Sequence, residues 1–291
     1  MSEPVLVELC AGSAAVSLRW LHPRAKPPIA YQGGKRAYAD AILLAMGLRP
    51  GGGQRDGRVV LVEAGPWGEA WAHWAAGGIP DTVERLRAWA GEDPRALWTR
   101  LKDAPVPTER AERVATWAVL QYWNVARKAA GFDGTTWGNV SFNAPITVVS
   151  EWRDYAGNVG IRPASLLSML ADDIAALACI DWRRVQVMPH DALEVDPIRR
   201  ARVYIDPPYE GTTGYGWNLT RPEVIGLAER WRAAACEVTV SEAEPLPIAG
   251  WHHHELGKPV GNRRTWSKQK REWLTMSEPP VGVLPFGQVA R

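Results

Sequence analysis

A chain of 291 residues with 46% hydrophobic and 23% charged residues has room for one large domain or two of modest size, and its bulk composition is ordinary for a globular protein. Thirty-four basic against 32 acidic residues leave a formal net charge of +2, which excludes a global field strong enough to draw in nucleic acid, so a polyanion would have to be met by local clusters. "MSEPVLVELC" has no basic region leading into an apolar run of signal-peptide length, and no run reaches the roughly 18 apolar residues of a membrane span, so the expectation is a soluble, cytoplasmic protein with no membrane partner.

In chain order, "PVLVEL" followed by "CAGSAAVSLRWL" reads as a short buried strand, a tight turn of small residues and a helix. "KRAYADAILLAMGL" is a second helical pattern, and "RVVLVEAG" a second buried strand ending on Glu63. Between them "GLRPGGGQRDG" is a flexible connection. From Trp67 to about residue 180 the texture is helical, in "DTVERLRAWAG", "PTERAERVATWAVLQYWNVARKAAG" and "PASLLSMLADDIAALACI", with a glycine- and asparagine-rich loop before the last. Strand and helix alternation resumes with "RVQVMPHDAL", "ARVYIDPPY", the helix "TRPEVIGLAERWRAAAC" and the strand "EVTVS"; "WHHHELG" and "REWLTMS" read as late strands. Thr220 and Glu223 have capping-box spacing, with Pro222 in the first turn. The expected architecture is α/β: a mostly parallel twisted sheet with helices on both faces, formed by residues 1–66 and 181–291, with residues 67–180 as an inserted, mainly helical domain.

Cys10, Cys179 and Cys236 are odd in number and far apart, with no CxxC, which argues against a disulfide framework or a structural zinc site and for buried free thiols. The sixteen tryptophans fall partly at helical spacing, where core packing explains them better than ligand stacking. His252, His253 and His254 invite a zinc reading, but successive side chains on a strand alternate faces and zinc spacings are missing, so no metal is expected.

Ligands of open α/β sheets bind beyond the carboxyl ends of the strands. Four polar motifs fall there. Ala11, Gly12 and Ser13 of "ELCAGSA" allow the backbone to approach a ligand, or only to pack closely. Glu63 ends its strand, where a carboxylate can hold ribose hydroxyls or face water. Asp191 can accept from an adenine amino group, or cap a helix. Asp206 enters "DPPY", a segment that proline forces out of the strand ladder. "YQGGK" adds Lys35 after two glycines, without the Walker spacing, so a small carboxylate suits it better than a triphosphate.

Together Tyr31 to Lys35, Cys10 to Ser13, Glu63 and Asp206 to Tyr209 resemble the Dam-type family of DNA adenine N6-methyltransferases, which use S-adenosylmethionine. "TTGYG", "WGNVSFNAP" and "REWLTMSEPP" extend the resemblance over most of the chain, although "YQGGK" here follows the small-residue turn and in that family precedes it. The resemblance implies a Rossmann-like methyltransferase sheet. It places Tyr31 against the cofactor, Lys35 at its methionine carboxylate, Glu63 on the ribose hydroxyls, and Asp206 between the methionine amino group and the target base. Double-stranded DNA would be the partner, with the inserted segment reading the target; a restriction endonuclease partner, a phage genome and a regulatory role are all compatible, and the oligomeric state is open. Candidate DNA contacts are Arg127, Lys128, Asn139, Asn143, Tyr215, Arg263 and Arg264. Asp206 and Pro207 would accept the two N–H bonds of an extruded adenine while Tyr209 stacks on it, with Asp206 an ionised carboxylate of unraised pKa. The same chemistry on cytosine N4, RNA or a protein amide, and an inactive DNA-binding protein of this fold, are the alternatives.

Overall fold

Short, largely apolar runs make the parallel part of the sheet, as strands covered by helices on both sides require. They are Val5–Leu9 (β1), Arg58–Val62 (β2), Val185–Met188 (β3), Arg202–Ile205 (β4) and Glu237–Glu242 (β5). All pair in parallel. His252–Gly257 (β6) and Glu272–Met276 (β7) complete the sheet in the order β3-β2-β1-β4-β5-β7-β6, with β7 antiparallel to both neighbours. The computed structural model describes residues 4–29, 34–124, 131–132, 136–138, 163–209, 219–257 and 272–281. The parallel strands have the order of a doubly wound nucleotide-binding sheet, which reverses direction between β1 and β4.

The period-2 alternation of each strand divides the core in two. Val7, Leu9, Val60, Val62, Val203, Ile205, Val238 and Val240 face one side, where Val224, Leu227, Ala228 and Trp231 of the helix Arg221–Ala233 cover them. That helix starts as its spacing predicts: the Thr220 side chain and the Glu223 carboxylate cap each other's backbone N–H, with Pro222 in the first turn. Leu6, Val59, Leu61 and Tyr204 face the other side, under the helices Ala15–Leu21 (α1), Ala39–Ala45 (α2) and Pro66–His73 (α3).

Between β2 and β3 the described chain is helical, apart from a two-residue ladder joining Gly131–Phe132 to Trp137–Gly138. After α3 come Ile79–Trp89 (α4), Pro94–Asp103 (α5), Arg110–Tyr122 (α6) and Pro163–Ala175 (α7). Apolar spacing alone marks neither α3 nor α5; each carries a proline in its first turn, and Asp93 caps α5 through the Ala96 N–H at 2.9 Å. These helices share one continuous apolar cluster with the sheet. Trp67, Trp71, Trp74 and Trp117 interlock in it with ring centroids 4.8 to 5.6 Å apart, so these tryptophans are core. Of the cysteines only Cys236 is fully buried; Cys10 is partly covered, and Cys179 is exposed on the outer face of a short 3-10 segment that buries Leu177. Among the described residues no helix is long and apolar enough to cross a membrane.

Candidate active site

The parallel strands end together. Leu9 is in register with Val62 and with Ile205, so Cys10, Glu63 and Asp206 are the first residues past three adjacent strands, at the point where the sheet reverses. The ladder extends one further step into this edge, through Ala11 N–H to the Val62 carbonyl at 3.1 Å and Asp206 N–H to the Leu9 carbonyl at 3.1 Å. Pro207 and Pro208 have no N–H to give, and the strand stops there.

The turn "CAGSA" carries left-handed backbone at Cys10 (φ 54°), Gly12 (φ 45°) and Ala14 (φ 51°). For Cys10 and Ala14, which have a Cβ, this costs on the order of 1 kcal/mol each. The surroundings enforce it: Gly12 N–H donates to Glu63 Oε2 at 2.8 Å, and the indole N–H of Trp71 in α3 donates to the Gly12 carbonyl at 2.7 Å. Ala14 offers α1 no side-chain cap, and the buried carboxylate of Glu8 on β1 takes that role, accepting from Ser17 N–H at 2.8 Å. The positive end of α1 is thus occupied by the protein's own carboxyl group.

Lys35, 4% exposed, reaches Asp206 Oδ1 at 2.6 Å and approaches Glu272 Oε1 at 3.7 Å. Its ammonium also stands 4.8 Å from the centroid of the Tyr209 ring, and the Tyr209 phenol and the Ser241 hydroxyl both donate to Glu272. Burial alone would lower the Lys35 ammonium; the Asp206 and Glu272 carboxylates override it and hold it above the usual lysine range.

The edge is rich in carboxylates. Burial raises Glu63 to about 8, against a single relieving N–H from Gly12, and raises Glu8 to about 7. Glu242, the last residue of β5, is also raised to about 7 by burial. Asp206 departs from the expectation of an unraised carboxylate: burial lifts it to about 6, Lys35 limiting the rise and Glu272 adding to it. Burial, with Glu63, Asp206 and Asp191 nearby, pushes the Cys10 thiol well up, so it is no nucleophile at neutral pH.

The structure therefore gathers Cys10 to Ser13, Lys35, Glu63, Asp206, Pro207 and Tyr209 at one edge of the sheet. Asp191 turns one carboxylate oxygen to the Leu193 N–H at 2.9 Å, but the chain makes only a turn there and no helix starts for it to cap. Tyr31, Arg127, Lys128, Asn139, Asn143, Tyr215, Arg263 and Arg264 lie outside the described residues. The histidine triplet lies on β6 with His252 and His253 exposed, and His253 Nε2 is 2.9 Å from the Leu246 carbonyl. Among the described residues no three His, Cys, Asp or Glu side chains converge as metal ligands would.

Sequence reasoning passed over Glu8, Ser241, Glu242 and Glu272. Glu8 interrupts an apolar strand and Glu242 ends one as Glu63 does, so both carried a signal. Glu272 lies in "REWLTMSEPP", but the sequence gives it no role because it opens its strand; only the antiparallel direction of β7 brings it to the edge where the other strands end. No protein-family model matches the chain, and no curated protein matches it.

Proposed function

We propose that the chain is an S-adenosylmethionine-dependent DNA methyltransferase that methylates the exocyclic N6 amine of an adenine turned out of the duplex. The observation that carries this reading is the convergence of the Asp206–Tyr209 segment, the left-handed turn at Cys10 to Ala14 and Glu63 at the reversal point of the sheet. On this reading the sheet is a Rossmann-like methyltransferase core, and the helical segment 67–180 reads the DNA target.

Two physical features support S-adenosylmethionine over a dinucleotide. A pyrophosphate would need the N-terminus of α1, which Glu8 already fills. The edge also collects Glu8, Glu63, Asp206, Glu242 and Glu272 against Lys35 as the only cation among the buried described residues, and such an excess of poorly solvated carboxyl groups suits a ligand with sulfonium and ammonium charges. Glu63, beside the Gly12 N–H, would hold the ribose hydroxyls, and the close backbone of Gly12 leaves room for the cofactor.

The bound cofactor supplies an electrophilic methyl group. The adenine amine is a poor nucleophile because its lone pair is delocalised into the ring. The Asp206 carboxylate and the Pro207 carbonyl accept its two N–H bonds and draw the nitrogen toward tetrahedral geometry, with the lone pair aimed at the methyl group. Lys35, at 2.6 Å from Asp206, stabilises the ionised form that accepts. The successive prolines hold both acceptors in one relation, and Tyr209 supplies a ring for the extruded base, an interaction of about 1–3 kcal/mol in single-strand settings. The methylated nitrogen is strongly acidic, so a carboxylate near 6 suffices to receive its proton.

Transfer of label from S-adenosylmethionine to duplex DNA, followed by nucleoside analysis, tests the reading. Label is expected in N6-methyladenine and is expected to be lost in Asp206→Ala. Label in N4-methylcytosine, RNA or protein would move the activity to that acceptor, and unchanged transfer by Asp206→Ala would refute the mechanism.

A further inference from the structure

Glu272 stands in "REWLTMSEPP", where the resemblance gives it no role, yet it is the node of the buried polar network at the site. It is 8% exposed, and its Oε1 accepts from the Tyr209 phenol and the Ser241 hydroxyl while lying 3.7 Å from the Lys35 ammonium. The Tyr209 phenol is also 3.4 Å from Ser241 Oγ, so three polar atoms from three separate segments meet at one carboxylate oxygen. Lys35 has three N–H donors on a flexible stem, and its nearer contact is Asp206 at 2.6 Å. A tyrosine on a loop that follows two prolines has no strand ladder to fix it. Side-chain contacts orient it, and Glu272 and Ser241 are among the partners of its phenol.

We propose that Glu272 is a positioning residue of this site: from β7 it anchors the Tyr209 phenol and steadies the Lys35 ammonium, and so sets the orientation of the Asp206–Tyr209 segment toward the base. Ser241 on β5 is its accessory, closing the triangle between phenol and carboxylate. The antiparallel β7 is what makes this arrangement available. Its first residue pairs with Gly257 of β6 at the edge where β4 and β5 end, so a carboxylate on it meets the residues that follow those strands. The role in catalysis rests on the methyltransferase reading; the anchoring of Tyr209 does not.

The test uses the full chain with ring-labelled (13Cζ) tyrosine, the Tyr209 resonance being assigned by its loss in Tyr209→Phe. In Glu272→Gln that resonance is expected to move, because a phenol hydrogen-bonded to a carboxylate loses its charged acceptor. Ser241→Ala removes the second donor to the same carboxylate oxygen and should move it less, in the opposite direction, and decides the matter if Glu272→Gln does not fold. In a methyl-transfer assay on duplex DNA, kcat of Glu272→Gln should fall by about 10²-fold, the cost of a small misplacement at a reacting centre, with KM for S-adenosylmethionine changed less than about threefold. An unmoved Tyr209 resonance in both variants overturns the proposal, as does unchanged kcat in a folded Glu272→Gln. If the wild-type chain transfers no methyl group, the methyltransferase reading fails, and the Tyr209 resonance still decides whether Glu272 anchors the loop.

Discussion

Titrating the carboxylates at the sheet edge should make the protein less stable as pH rises through neutrality. Glu63 ionises near 4.5 in the unfolded chain and at about 8 in the folded one, because folding buries it. Its stabilising contribution is complete below pH 4.5 and is eroded as pH rises to about 8, since between those values the folded state holds a proton that the unfolded state has released. The slope from this one group is about 1.4 kcal/mol per pH unit. Glu8 and Glu242, both raised to about 7, act in the same direction up to that pH. His73 and His254 are lowered by burial and act in the opposite direction below about 6.5, the ordinary histidine value. The clean window is therefore pH 6.5 to 7.5. Urea unfolding there should lose at least roughly 1 kcal/mol, which at a typical m-value of about 2–3 kcal/mol/M moves the midpoint by about 0.5 M. Glu63→Gln keeps an acceptor for the Gly12 N–H but cannot titrate, and should flatten the slope by about one proton's worth. Stability that is flat or rising across this window, or a slope unaltered in Glu63→Gln, would refute the assignment of a proton to the Glu63 carboxyl.

Lys35→Met strands the Asp206 and Glu272 carboxylates without their ammonium and should cost about 3–5 kcal/mol of unfolding free energy, with part of the loss recovered in Lys35→Met/Asp206→Asn; urea denaturation of the single and double variants measures both. Gly68→Ala would place a Cβ 1.9 Å from the Glu63 carbonyl oxygen, a backbone atom that cannot turn aside. It should destabilise the chain by about 1–3 kcal/mol, seen as a lower thermal midpoint, and weaken binding of S-adenosylmethionine in calorimetry by displacing Glu63.

Much of the fold is written locally. The apolar runs that end at Leu9, Val62 and Ile205 are strands because nothing polar interrupts them except Glu8, and the Thr220–Glu223 box starts a helix because both caps lie within one turn. The prolines at 207 and 208 stop β4 wherever it is placed, since a missing N–H is a property of the residue itself. For the same reason the Cys10 to Ser13 turn, Glu63 and Asp206 were recognisable as strand-end groups before their neighbours were known.

Tertiary structure decided what these groups do to one another. Burial raised Asp206 to about 6, against the expectation of an ordinary carboxylate, because desolvation depends on everything packed around a charge and not on its flanking residues. The pairing of Lys35 with Asp206 joins positions 171 residues apart. Glu8 became the cap of α1 because parallel packing set its carboxylate under that helix, and Glu272 reached the site because β7 runs against its neighbours. Short-range chemistry names the candidates; the direction and order of the strands, which rest on contacts between distant segments, determine which of them meet.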